Sequence, residues 1–250
     1  MRLINEIKLR VRDFQNGLNR SNSKHRECVD CLITDGYYVI ENYLPENELK
    51  VLSDLAYATI EKYEERVVIE SGGADKRIYG VDLLEKQFSM DNSMNLPNQI
   101  ASEFYRGKFH WFQMLGAIDF SSGNLGSGSG WHRDSPFSHQ FKFILYLSDV
   151  TVETGPFEYI KGSHTTKAIK EYSKYLTVPL DVNRFSNEQI EQLEKSGIVG
   201  QKVTVLGEAG TLLMANVRGL HRGKPLTTGS RLATTRYYFG NDKMNYFNLK

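Results

Sequence analysis

The chain carries two cysteines in 250 residues, too few for a disulfide scaffold, and both fall in the single pair Cys28-Val-Asp-Cys31. A structural zinc takes four ligands and a second cysteine pair is missing, so even with His25 recruited the expectation is two incidental reduced thiols. Also missing is any apolar run near the roughly 18 residues that cross a bilayer, and residues 1–26 lack the apolar stretch and cleavage site of a secretion signal. No membrane partner is therefore expected, and the cytoplasm is the expected compartment. An excess of one charge is absent too: 31 Lys and Arg face 30 Asp and Glu, leaving +1. That balance removes the electrostatic footprint of a general nucleic-acid binder and makes a small molecule the default partner.

What is present is the material of a core. Hydrophobic residues make up 40% and aromatics 12%, so the chain should fold without staples. A length of 250 suits one all-β unit better than two domains. Residues 1–30, rich in Arg, Asn and Lys, read as an N-terminal extension that packs late or frays, and residues 31–250 as one domain. From Asp35-Gly36 the run Tyr37-Tyr38-Val39-Ile40 is of β type. Pro45 with Glu46 and Glu48 then opens a helix whose Leu49, Leu52, Leu55 and Ala56 recur at helical spacing, ending near Arg66. A second helix is expected after Pro97 to about Tyr105.

Beyond it the sequence alternates short strands with turn-rich segments: His110–Phe120, Gly130–Asp134, Phe141–Leu147, Phe157–Ile160, Gln201–Leu206, Thr211–Asn216 and Arg231–Phe239. Helices of crossover length are lacking between most of them, which argues against a parallel sheet and favours a mainly β fold, an antiparallel barrel or jelly roll with flanking N-terminal helices. The exception is about residues 165–200, where Ser186 followed by Gln189 has the form of a capping box that opens a short helix to about Lys195. This segment reads as an insertion over one barrel mouth.

The chemistry lies in Gly130-Trp131-His132-Arg133-Asp134. On a strand, positions i and i+2 share a face, so His132 and Asp134 point inward together while Arg133 points away. A distant histidine would complete the two-histidine, one-carboxylate triad of non-haem Fe(II) oxygenases. His221 is the candidate, just past the strand Thr211–Asn216. Three protein ligands on one face of an octahedral iron leave three positions free, enough for a bidentate 2-oxo acid such as 2-oxoglutarate and for O₂. Arg231 follows ten residues after His221 across a turn, and the return strand sets its planar fork where it can grasp the far carboxylate of 2-oxoglutarate. Each feature alone is common; their order and spacing together carry the argument.

With these residues in place the chain resembles the phytanoyl-CoA dioxygenase family of Fe(II)/2-oxoglutarate oxygenases over about residues 32–240. The resemblance rests on Asp35-Gly36-Tyr37-Tyr38-Val39-Ile40, the helix after Leu44-Pro45, Trp131-His132-Arg133-Asp134, Tyr146-Leu147-Ser148-Asp149, Thr154-Gly155-Pro156-Phe157, Gly162-Ser163-His164, and His221 with Arg231. It implies a double-stranded β-helix (jelly roll, cupin-like), with His132, Asp134 and His221 on iron, Arg231 on the co-substrate, and hydroxylation of a small organic substrate. Relatives that halogenate replace the carboxylate by a small residue, so Asp134 favours oxygen transfer. Where related enzymes often carry Ser or Thr two places after the arginine, this chain has Ala233, and Thr235 or Lys142 would supply that contact. Similar enzymes also place a polar side chain at Gln113 to hold the 2-oxo acid.

Other residues make smaller claims. Lys142, Ile144 and Tyr146 share one strand face; if it is the inner one, Lys142 can neutralise the bound dianion. His164 reads as structural, and His110 and His139 as ordinary residues. Trp131 and Phe137 flank the ligands and either wall the pocket or join the core. Tyr172, Lys174, Tyr175, Arg184 and Phe185 of the insertion would suit a polar ligand, a sugar, a nucleotide-linked molecule or a natural-product intermediate. The glycine-rich run Gly123–Gly130 lacks the lysine of a phosphate loop and reads as a flexible loop that would suit a lid. Two other classes remain open: a cupin-like metal-dependent isomerase or hydrolase using the same ligands, and a non-catalytic binding barrel.

Overall fold

The structure is a computed structural model that describes residues 25–70, 75–90, 95–105, 109–119, 124–137 and 140–240. Its frame is a seven-stranded antiparallel sheet in the order β1-β8-β5-β10-β4-β3-β2, faced by a three-stranded sheet β7-β6-β9. The strands are β1 (Tyr37–Ile40), β2 (Val68–Glu70), β3 (Asp75–Tyr79), β4 (Phe109–Asp119), β5 (Gln140–Tyr146), β6 (Phe157–Ile160), β7 (Lys202–Val205), β8 (Leu212–Asn216), β9 (His221–Gly223) and β10 (Ser230–Gly240). This is the expected jelly roll, open between its two sheets where a barrel would be closed.

The N-terminal helices cover the outer face of the large sheet. They are α1 (Arg26–Thr34), α2 (Glu46–Lys62), the short α3 (Val81–Leu84) and α4 (Gln87–Met90), and α5 (Asn95–Phe104). Helix α2 begins after Pro45, carries Glu46 and Glu48 at its positive end and Lys62 at its negative end, and buries Leu52 and Ala56. These residues pack with Phe141, Phe143, Leu145, Leu232 and Tyr238 from the sheet.

Helix α1 straddles the expected boundary at residue 30 and is part of the core, with Cys28, Val29 and Leu32 buried. Both thiols are free. Cys28 donates to Met214 Sδ at 3.7 Å, and burial pushes its thiol up to about 12. No helix of the described residues is long and apolar enough to cross a membrane.

Two further elements depart from expectation. Segment 130–134 is not a strand: His132 makes only isolated bridges, to Arg184 and His221. Left-handed turns at Gly126, Gly128, Ser129 and Gly130 precede it and Pro136 follows, so no ladder can propagate in either direction. The insertion holds two helices, α6 (Thr166–Tyr175) and α7 (Asn187–Ser196). The second begins with the Ser186–Gln189 capping box in both directions. Together they form a separate small core of Ile169, Tyr172, Phe185, Ile190 and Leu193 closed by Trp131, and the buried Trp131 belongs to that core.

Strand alternation sorts the large sheet into two faces. In β10 the residues Arg231, Ala233, Thr235, Tyr237 and Phe239 face a cavity between the sheets, as do Gln140, Lys142, Ile144 and Tyr146 of β5. Register places these in rows: Phe239 beside Gln140, Tyr237 beside Lys142, Thr235 beside Ile144, Ala233 beside Tyr146. Arg231 stands at one end of the cavity wall and Gln140 at the other.

Candidate active site

His132 and His221 are brought together by a reciprocal pair of backbone hydrogen bonds, each amide donating to the other's carbonyl at 2.9 and 2.8 Å. Asp134 is fixed by its own amide, which donates to Val217 O at 2.9 Å. The three side chains converge: Asp134 Oδ1 lies 3.5 Å from His132 Nε2 and 3.6 Å from His221 Nε2, and the ring centroids are 4.2 Å apart. Among the described residues this is the group of His, Cys, Asp and Glu side chains close enough to hold a metal ion.

The imidazoles are oriented for that task. Nδ1 of His132 donates to Gly130 O at 2.9 Å and Nδ1 of His221 to Gly219 O at 3.0 Å, which sets both tautomers and aims both Nε2 lone pairs at Asp134. Burial, then the neighbouring Lys142, holds His132 down at about 4, and burial with His132 and Lys142 holds His221 well below its ordinary value. Burial alone would raise the Asp134 carboxyl; Lys142 and the two imidazoles outweigh it and hold the group at about 2. Two neutral nitrogen donors and one carboxylate at neutral pH are the donor set a divalent iron requires, and the residues fit it.

Lys142 lies inside, on the face inferred from Ile144 and Tyr146. Its Nζ donates to Asp134 Oδ2 at 2.9 Å and to His221 Nε2 at 3.3 Å, and sits 5.1 Å from the Tyr237 ring centre. Arg231 lines the same cavity beside Tyr146 and Thr235, its guanidinium donating to Gly155 O. The cavity, of about 490 Å³, thus joins the triad, Lys142 and Arg231.

Gln113 does not join them. It sits on β4 between Phe112 and Met114, which line the cavity, so alternation sends its side chain to the opposite face. There it donates to Thr234 Oγ1 at 2.8 Å and accepts from Arg236 Nη2 at 2.6 Å. Its expected role on the co-substrate is therefore corrected to a structural one.

His164 is buried and structural as expected, Nε2 meeting Ile33 O at 2.9 Å; His139 lies outside the described residues. Of the insertion residues named for a polar ligand, Arg184 borders the cavity, whereas Tyr172 and Phe185 are buried in the insertion's core. The described part of the glycine-rich run packs against the site: Gly223 N donates to Ser127 O at 2.9 Å, and a methyl at Gly128 would overlap the His132 ring.

Sequence reasoning missed a polar cluster on β3. Arg77 is held by Asp75 (Nη2 to Oδ2, 2.6 Å) and Glu70 (Nη1 to Oε2, 2.8 Å) and donates to Tyr79 OH at 3.2 Å. Asp75, Arg77 and Tyr79 all line the cavity. The signal was their alternation at i, i+2, i+4, hidden because the inward residues of this strand are polar or charged.

Fold and site together define a jelly roll with a two-histidine, one-carboxylate cluster close enough to hold a metal ion. The chain belongs to the phytanoyl-CoA dioxygenase (PhyH) family, whose pattern it matches over residues 33–233. Its fold is that of EctD from S. alaskensis, solved with bound Fe, at TM-score 0.66 and 17% identity over 87% of this chain and 77% of that one. The non-heme alpha ketoglutarate dependent epimerase SnoN from nogalamycin biosynthesis aligns at TM-score 0.63 and 17% identity over 86% and 82%. HygX from Streptomyces hygroscopicus, solved with nickel and 2-oxoglutarate, aligns at 0.55 and 18% over 88% of each chain. No match was found among curated proteins.

Proposed function

We propose that this protein is an Fe(II)- and 2-oxoglutarate-dependent dioxygenase that hydroxylates a small organic substrate. The observation that carries the reading is the convergence of His132, Asp134 and His221 in a cavity that Arg231 also lines. His132, Asp134 and His221 are the metal ligands, and Arg231 is the partner of the distal carboxylate of 2-oxoglutarate, its fork released from Gly155 O to do so. Lys142, cationic and beside the ligands, compensates the charge of the bound dianion. Iron with 2-oxoglutarate and O₂ supplies an oxidant able to break a substrate C–H bond. The protein's own contribution is placement: the insertion and the glycine-rich turn pack beside the triad, shielding His221 from water while His132 and Asp134 stay partly exposed to the cavity.

Hydroxylation is the finer part of this reading, since SnoN is an epimerase with the same fold. The test is substrate-stimulated succinate release across fractionated metabolite pools, with mass analysis of the product formed. Gain of one oxygen atom by the responding metabolite, abolished in Asp134→Ala, is the expected result. Succinate release with an isomeric or dehydrogenated product would replace hydroxylation by another oxidative outcome, and no release with any pool would favour the non-catalytic barrel.

A further inference from the structure

At the end of the cavity wall away from Arg231 stands Gln140, 4% exposed. Gln140 lines the cavity, and its Oε1 is buried and accepts no hydrogen bond among the described residues. A buried amide oxygen without a donor is costly to the fold, and such atoms call for an explanation. Gln140 is two residues from Lys142, on the same strand face and so beside the metal ligands that Lys142 touches. The atom is an acceptor only, so what completes it must carry an O–H or N–H.

The surroundings narrow the class. Gln140 pairs across the sheet with Phe239. Phe239 is one of three near-parallel rings, Phe112 to Tyr237 at 4.4 Å and 8°, and Phe112 to Phe239 at 5.7 Å and 17°. All three line the cavity, a wall suited to the C–H faces of a ring. An anionic head is disfavoured beside Gln140: Oε1 would repel it, Lys142 is already shared between Asp134 and the proposed co-substrate, and Arg184 donates to Gly128 O and Ser129 O.

We propose that Gln140 is the specificity-determining residue of this site, and that the substrate is a neutral hydroxylated ring that donates an O–H to Gln140 while lying against Phe112, Tyr237 and Phe239. The assignment rests on the oxygenase reading for what happens to that ring, and on Gln140 and the aromatic wall for its recognition.

The experiment is saturation-transfer NMR on the full chain with methyl β-D-glucopyranoside, myo-inositol and cyclohexanecarboxylate as probes. It uses wild type, Gln140→Leu and Gln140→Glu, and needs no iron. Wild type should saturate at least one of the two hydroxylated rings and not the carboxylate. Gln140→Leu should weaken that binding at least tenfold, while Gln140→Glu, which keeps an acceptor, should stay within about threefold. Because the leucine removes an orphaned buried acceptor, its melting temperature should equal or exceed that of wild type.

Binding of the rings by Gln140→Leu as by wild type, preference for the carboxylate, or silence of both hydroxylated rings would overturn the proposal. So would a fall in melting temperature, which would make Gln140 a packing residue. Ring binding without the absorption band of an Fe(II)–2-oxoglutarate chelate would sink the oxygenase reading and leave Gln140 standing; the band without ring binding would do the reverse.

Discussion

Lys142 is bonded to two of the three proposed metal ligands at once, Asp134 and His221. Its ammonium occupies the lone pairs a divalent cation needs, and like charges repel at short range. Lys142→Met should therefore tighten Co(II) binding to the protein alone by severalfold, yet weaken 2-oxoglutarate binding to the metal-loaded form by about tenfold, both read by titration calorimetry. A variant that left both affinities unchanged would remove Lys142 from the site's electrostatics.

The imidazoles make a second prediction for the metal-free protein. In the unfolded chain His132 takes a proton near its ordinary 6.5, but in the fold only near about 4. Between those values the unfolded state binds more protons, so stability is full above 6.5 and is lost as pH falls toward about 4. Urea denaturation in EDTA should show that decline, shallower in His132→Gln; parallel curves for the two proteins would contradict it.

Residue types at this site were legible where their pattern is that of a metal site, and the structure brings those three side chains together. The triad could be named because H-x-D with a later His and Arg has a distinctive order. Gln113 was expected at the co-substrate and Gln140 went unnoticed, since which of two amides faces a cavity depends on strand phase. Phase is fixed by the pairing of Phe112 with Tyr237 and of Gln140 with Phe239, which local sequence does not display.

Among the elements, the segment holding His132 and Asp134 has the least secondary structure of its own and depends on the insertion. Arg133, fully buried, donates from Nε to Val182 O at 2.8 Å and from Nη2 to Leu180 O at 2.7 Å, and from Nη1 to Tyr172 OH. It also lies over the Tyr172 and Phe185 rings at 5.3 and 5.4 Å. Its amide donates to Asn183 O at 3.0 Å. Arg133 thus points away from the metal, as the sequence implied, and ties the ligand segment to the insertion.

Arg133→Met should cost about 2–4 kcal/mol in denaturant unfolding by stranding those acceptors, and weaken Co(II) binding at least tenfold by freeing the ligands it flanks. A destabilised protein with unchanged metal affinity would show that the insertion supports the fold and not the site. The capping box of α7 was readable because its two hydrogen bonds are local in sequence. Strand β3 was not, because Asp75, Arg77 and Tyr79 turn a polar face inward and reverse the usual pattern.

At the scale of the whole molecule, one sheet does two tasks. Its outer face packs on the N-terminal helices through Phe141, Phe143 and Tyr238, and its inner face lays out the site from Arg231 at one end to Gln140 at the other. Antiparallel strands could be inferred from short apolar runs without crossover helices; the partition into seven and three strands, left open between them, is a matter of long-range pairing. The account's central claim is that the triad and Arg231 form a single centre for iron and 2-oxoglutarate. Anaerobic addition of Fe(II) and 2-oxoglutarate, followed by visible absorption, tests it most directly. Wild type should develop a metal-to-ligand charge-transfer band, His132→Ala should show none, and Arg231→Met should require at least tenfold more 2-oxoglutarate to reach it. Absence of the band in wild type, or its persistence at full strength in His132→Ala, would contradict the account.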